Sequence, residues 1–130
     1  MSELRADTIT ASDGTSPVTL TKQMALRGWV NFNGTGTIAA RDSLNLSSLS
    51  DNGTGEYTIS YASAWSAVNY AFTGCSGQTA AGSRTTGGIT FDDFSASVTT
   101  TSHRILSRKK DDATNHDCAN EHCHVVGDLA

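Results

Sequence analysis

Short stretches of this chain alternate apolar and polar residues, and glycine, asparagine and serine break them up. Val30 and Phe32 fall on one side of an extended segment. Tyr57, Ile59 and Tyr61 share a face, with Thr58 and Ser60 on the other. Val68, Tyr70 and Phe72 do the same against Asn69, Ala71 and Thr73. A period of two predicts half-buried strands. Strands are expected at 28–33, 36–41, 44–50, 55–62 and 67–74, then from Phe91 through Val98, over Ser102–Ser107 and at 118–127. Asn-Gly-Thr-Gly occurs twice, at 33–36 and 52–55. Asn-Gly between such runs signals a hairpin, because both residues tolerate positive φ.

Other segments punctuate this pattern. Thr21 and Gly28 can cap and close a helix of about two turns, too short to stand without packing. That connector would set an amino-terminal arm apart from the β domain, with arm and connector at 1–28 and the domain at 29–130. In the arm, Leu4 and Ile9 lie on opposite sides of a regular strand, which suits a segment completed by another chain. Trp65, among small residues between two strands, should fold over a sheet end. Residues 74–90 lack periodic apolar groups and read as one long loop, and 108–115 as a charged turn. The predicted architecture is all-β: an antiparallel β-sandwich or jelly-roll-like domain behind a short arm and connector.

Three phrases carry a resemblance: Trp29-Val30-Asn31-Phe32-Asn33-Gly34-Thr35-Gly36-Thr37-Ile38, Arg41-Asp42-Ser43-Leu44-Asn45-Leu46-Ser47-Ser48-Leu49, and Asp51-Asn52-Gly53-Thr54-Gly55-Glu56-Tyr57-Thr58-Ile59. Together they resemble a module of bacteriophage tail-fibre and other virion structural proteins, many of them marine. Val68-Asn69-Tyr70-Ala71-Phe72, the opening Leu4-Arg5-Ala6-Asp7-Thr8-Ile9 and the closing Val125-Val126-Gly127-Asp128-Leu129-Ala130 extend it. The likeness is good over residues 1–73, weak over 74–117 and moderate at the end. It implies a non-enzymatic virion part, on the tail or capsid surface, made in the host cytoplasm. As a tail fibre, spike or adaptor it would present its β domain to a host-surface glycan or receptor, or to other virion proteins. The alternative is a capsid decoration protein. A homotrimer is expected, since open sheet edges need covering. Leu4, Arg5 and Ile9 would anchor the arm to the particle. Trp65, Arg84, Arg108, Lys109 and Lys110 are the candidate binding residues, with the 74–90 loop and the 108–115 turn as the outer face.

Composition narrows the alternatives. With 9 basic against 13 acidic residues the net charge is −4, which argues against binding a phosphate backbone. No run of 18 apolar residues exists, so no membrane insertion is expected. The amino terminus lacks the basic and apolar regions of a secretory signal. Three cysteines allow one disulfide and one thiol, or three reduced thiols in a protein assembled in a cytoplasm.

Three constellations offer chemistry. His116-Asp117-Cys118-Ala119-Asn120-Glu121-His122-Cys123-His124 concentrates metal-ligand types, the basis of a remote reading as a small metal-dependent enzyme. On a strand it splits, with Glu121, Cys123 and Val125 on one face and His122 and His124 on the other. The two histidines then need ligands from elsewhere or a three-fold axis, and no cofactor is expected. Cys75 with His103 or His116 would make a nucleophile only with a base and an oxyanion site. Asp92-Asp93 and Asp111-Asp112 are adjacent, so on a strand neither pair can flank one glycosidic bond.

Overall fold

The computed structural model describes residues 12–14, 26–77, 87–91, 98–109 and 114–130. Among them there are eight strands and no helix. These are β1 (Gly28–Asn33), β2 (Ala39–Leu44), β3 (Leu46–Gly53), β4 (Glu56–Tyr61), β5 (Ala71–Gly77), β6 (Gly87–Phe91), β7 (Ser102–Lys109) and β8 (Asn120–Val126). They hydrogen-bond in the order β2-β1-β8-β5-β6-β7-β4-β3, each neighbouring pair antiparallel. This ladder folds back on itself into an antiparallel β-sandwich. The β2-β1-β8-β5 layer lies over β7-β4-β3, and β6 links them.

The fold-back turns on Asn45, the residue between β2 and β3. It sits at φ 61°, a left-handed conformation that asparagine tolerates better than most residues. Its side chain fixes the bend on both polar groups of Ser63. Oδ1 accepts from the Ser63 amide at 2.7 Å, and Nδ2 donates to the Ser63 carbonyl at 3.1 Å. Strands that switch layers do so at such bends. Asn45→Ala should therefore cost about 2 kcal/mol, from backbone strain plus two lost bonds. Urea unfolding measures it, and an unchanged midpoint would show that the bend is held elsewhere.

Alternation decides what lies between the layers. β1 and β8 bury Val30, Phe32, Cys123 and Val125, while β4 and β7 bury Tyr57, Ile59, Tyr61 and Ile105. The Phe32 and Tyr57 rings meet edge to face across the interior, centroids 5.1 Å apart. Each such large side chain contributes roughly 1.5–3 kcal/mol by leaving water.

One end of the sandwich is closed by Trp65. Its ring meets Tyr61 edge to face at 5.1 Å and lies against Tyr70 at 5.3 Å. Gly127 makes this possible, because a Cβ there would come within 2.7 Å of the Tyr70 Cβ and 3.2 Å of the Trp65 ring. Trp65 also bridges Leu129, and its amide donates to the Thr100 carbonyl at 2.8 Å.

Several expectations shift. β1 matches its predicted span, but Gly28 opens that strand instead of closing a helix. The rest of the expected helix, 21–25, lies outside the described residues, as do Leu4, Arg5 and Ile9. β2 and β3 start two to three residues later than expected, at Ala39 and Leu46. The cause is in the turns: positive φ belongs to Gly36 in the first Asn-Gly-Thr-Gly, and to Gly53 and Gly55 in the second. In neither does the asparagine take it. Asn33 instead folds onto Thr35, donating to its carbonyl at 2.7 Å and accepting from its hydroxyl at 2.9 Å.

The 67–74 strand begins only at Ala71, and Val68 is exposed while Tyr70 turns inward. The supposed loop at 74–90 holds the end of β5 and most of β6. Phe91 is the last residue of β6; residues 92–97 of the strand expected from Phe91 through Val98 lie outside the described residues, and Val98 forms an isolated bridge to His103. β7 runs on to Lys109, so Arg108 and Lys109 belong to a strand and not to a turn.

Candidate functional site

Strand direction gives the sandwich two ends. At the near end lie Leu26, Asn45, 62–70 and 127–130. At the far end lie the 34–38 turn, the Thr54-Gly55 turn and 114–119, together with the strand ends at Gly77, Gly87 and Lys109. The far end is therefore where the chain leaves β5 and returns in β6, and where it leaves β7 for β8.

A hydrogen-bond network ties the far-end turns together around Asp117 and Glu56. Asp117 Oδ1 accepts from the Gly55 amide at 2.6 Å and from the Tyr57 hydroxyl at 3.0 Å. The same hydroxyl lies 2.9 Å from the Gly34 carbonyl oxygen, and the Gly34 amide donates to the Cys118 carbonyl at 2.9 Å. The Ser107 amide donates to the Gly55 carbonyl at 2.8 Å, and the His116 amide to the Ser107 carbonyl at 2.9 Å. Glu56 pairs with Arg104 and accepts from Asn115 Nδ2 at 3.0 Å. Arg108 Nε donates to Asn115 Oδ1 at 3.3 Å, and Arg41 donates to the Ala119 carbonyl at 2.6 Å. Burial, then the Asp117 carboxylate beside it, pushes the Tyr57 hydroxyl far above its ordinary range, so it stays protonated.

Gly55 is required in this network. It sits at φ +65°, and a Cβ there would meet the His116 amide nitrogen at 2.5 Å and the Ser107 carbonyl at 2.6 Å. Both obstacles are backbone and cannot swing away. Gly55→Ala should cost about 2–4 kcal/mol and loosen 114–119. Thermal unfolding measures the first and amide exchange at His116 the second. A variant as stable as the parent would mean the turn relocates freely.

A second polar cluster lies inside. His103 is wholly buried on β7. Its Nδ1 is 2.5 Å from the Tyr61 hydroxyl and its Nε2 3.7 Å from Cys123 Sγ. Burial lowers the His103 pKa to about 3, so the ring is neutral near pH 7. Burial likewise raises the Tyr61 hydroxyl and the Cys123 thiol far above their usual ranges. A neutral imidazole beside a protonated, enclosed thiol is a packed hydrogen-bonded group, not an activated nucleophile.

The remaining sequence candidates divide as follows. Trp65 is 1% exposed, so its ring covers the core and offers nothing for a sugar to stack on. Arg108 is exposed near the end of β7, on the far-end network. Lys109 belongs to β7, and its side chain, like Arg84 and Lys110, is outside the described residues, as are both Asp pairs. Glu121, Cys123 and Val125 do point inward, and His122 and His124 outward. Asp117 is committed to Gly55 and Tyr57. Among the described residues no three His, Cys, Asp or Glu groups are placed to hold a metal ion. Cys75 lies on the outward side of β5, opposite the face that carries His103, so those two cannot pair.

Sequence reading missed the Asp117 network. Its members are scattered over four segments, and only the Asn-Gly-Thr-Gly repeat hinted at where turns gather. It also missed Glu121 as a buried acid, although placing it with Cys123 and Val125 was the signal. Comparison of the chain with protein-family models, curated proteins and solved structures yields no match.

Proposed function

We propose that this chain is a non-enzymatic structural protein of a bacteriophage virion: a tail fibre, spike or adaptor. Residues 1–28 attach it to the particle or to copies of itself. The β domain presents its far end to a host-surface glycan, a receptor or another virion protein.

One observation carries this reading beyond the resemblance. The described chain enters the domain at Leu26 and leaves it at Leu129, which flank one groove at the near end. The strands bordering 78–86 and 110–113 all end on the opposite side. Attachment through residues 1–28 and presentation at the far end would then use opposite ends of the sandwich, which supports the reading as a projecting virion part. The far-end turns are bonded to each other and to the strands, which gives a binding surface there a fixed base. The interior groups with catalytic potential are neutral and enclosed, which also favours a binding role.

A second reading has its own support. The near-end groove, about 480 Å³, is lined by Leu26, Leu44, Ala62 and Leu129, and Leu26 and Leu44 are 42% and 47% exposed. A capsid decoration protein would use such a surface, together with its arm, to clamp shell subunits.

Cryo-electron microscopy of the virion with chain tracing separates the two. Density on a tail or projecting fibre, near end inward, is the expected result. Density spread over the capsid lattice would replace it with the decoration reading, and absence from the particle would overturn both. Light scattering of the purified full chain is expected to give a trimer; a monomer at micromolar concentration would remove the trimer from the proposal.

A further inference from the structure

The far end covers an acid that has no partner. Glu121 is fully buried near the start of β8, and neither carboxyl oxygen has a hydrogen-bond partner. Its cross-strand neighbour on β5, Ser76, is also buried with an unpartnered hydroxyl. Ser107 of β7 and Cys118 of the preceding turn are buried as well, Ser107 Oγ lying 3.8 Å from Cys118 Sγ. An ionised carboxylate there would face only the neutral Ser107 and Cys118 groups, which favour the charge in part, and no cation to balance it.

The surrounding groups do not supply that charge balance. On the 114–119 turn the facing titratable groups are Asp117 and Cys118, and on β4 it is Tyr57. β5 and β7 contribute Ser76 and Ser107, and β1 the hydrocarbon ring of Phe32, which stands opposite Glu121 in register. Asp117 is an anion and works against a second one. The nearby cations bond elsewhere: Arg41 to the Ala119 carbonyl, Arg108 to Asn115, and Arg104 to Glu56. None donates to Glu121.

We propose that Glu121 is a proton-operated latch for the far end of this domain. With Glu121 protonated, the 114–119 turn sits down over Ser76, Ser107 and Cys118. When the carboxyl gives up its proton to solvent, Ser107 and Cys118 relieve the charge only in part, and water reaches it by lifting that turn. The Gly34–Cys118, Gly55–Asp117 and His116–Ser107 bonds open with it, because all three are made to residues of the turn. Burial, the dominant influence, raises the Glu121 pKa to about 7, and Asp117 adds to it; nearby Ser107 and Cys118 groups pull the other way. The latch therefore works around neutral pH. It stands whether or not the far end binds a host, since it concerns only the state of that end.

Amide hydrogen exchange of the full chain, corrected for intrinsic rates, tests this between pH 5 and pH 8.5. Protection of the Gly34, Gly55 and His116 amides is expected to fall more than tenfold with rising pH, while Ile59 and Ile105 change far less. Glu121→Gln keeps the shape without the charge and should flatten the profile of the three far-end amides. A flat profile in the parent, the same slope in Glu121→Gln, or equal loss at Ile59 and Ile105 would each overturn the proposal. If Glu121→Gln does not fold, the carboxyl carbon resonance of Glu121 in the parent decides. A midpoint near pH 7 upholds the latch and one below 5.5 removes it.

Discussion

In the Glu121→Gln protein, lowering the pH from 7 to 3 is expected to cost about 4 kcal/mol of folding stability, and the source is His103. Its imidazole is buried and titrates at about 3 in the fold, against an ordinary 6.5. Between those values the unfolded chain binds a proton that the folded chain refuses. Stability contributed by the neutral ring is therefore complete above pH 6.5 and is lost as the pH falls towards 3. The neutral Tyr61 hydroxyl and Cys123 thiol lie against the two ring nitrogens, and neither carries a charge to balance an imidazolium.

In the parent protein the same descent should cost far less, about 1 kcal/mol from these two groups together. Glu121 opposes His103. Its folded pKa is about 7, above the ordinary 4.5, so the folded chain holds the proton that the unfolded chain releases. Its contribution is complete below pH 4.5 and is lost as the pH rises through 7. Going from pH 7 to 3 restores about 3 kcal/mol. The parent should thus show a broad plateau of stability between about pH 5 and pH 7. Urea unfolding of both proteins across the range measures the difference. Parallel curves would show that Glu121 ionises normally in the fold.

Trp65→Ala is expected to destabilise the domain by about 3–5 kcal/mol, lowering Tm by on the order of 10–20 °C. The indole fills the near end against Tyr61, Tyr70 and the backbone at Gly28 and Gly127. Those neighbours are aromatic rings and glycine backbone on separate segments of the chain, so they cannot close fully over the gap. The Trp65 indole N–H makes no hydrogen bond of ordinary geometry, so the loss is mainly one of packing. Trp65→Phe should recover about half of it. Thermal unfolding measures both. A Trp65→Ala protein with unchanged Tm but lost ligand binding would reverse the assignment and return this residue to a recognition surface.

Much of the fold was written locally. Tyr57, Ile59 and Tyr61 alternate with polar residues, so any strand containing them must turn those three to one side. The same holds for Val30 and Phe32, and for Glu121, Cys123 and Val125. Period two is a property of the extended backbone, which is why those faces were read correctly while the one assigned to Val68 and Tyr70 was not: that segment precedes β5, which begins only at Ala71. The repeated Asn-Gly-Thr-Gly announced turns, because left-handed residues are scarce. Which residue would take the positive φ depended on the register of the paired strands, and that register is a property of two segments together.

The candidate site was less legible for the same kind of reason. Asp117 matters because Gly55, Tyr57 and the turn around it converge from separate parts of the chain, and nothing near Asp117 in sequence says so. Trp65 looked accessible because its sequence neighbours are small; its burial comes from Tyr61, Tyr70, Gly28 and Gly127, brought there by folding. The sequence by itself determined the strand class, the inward faces and the split of the His/Cys segment, since each follows from a two-residue repeat. Only the tertiary structure decided that Glu121 lies without a partner, that His103 is held neutral, and that the two ends of the sandwich differ. Solvation and hydrogen bonding depend on which atoms meet across layers, and that is set when the ladder bends at Asn45 and closes on itself.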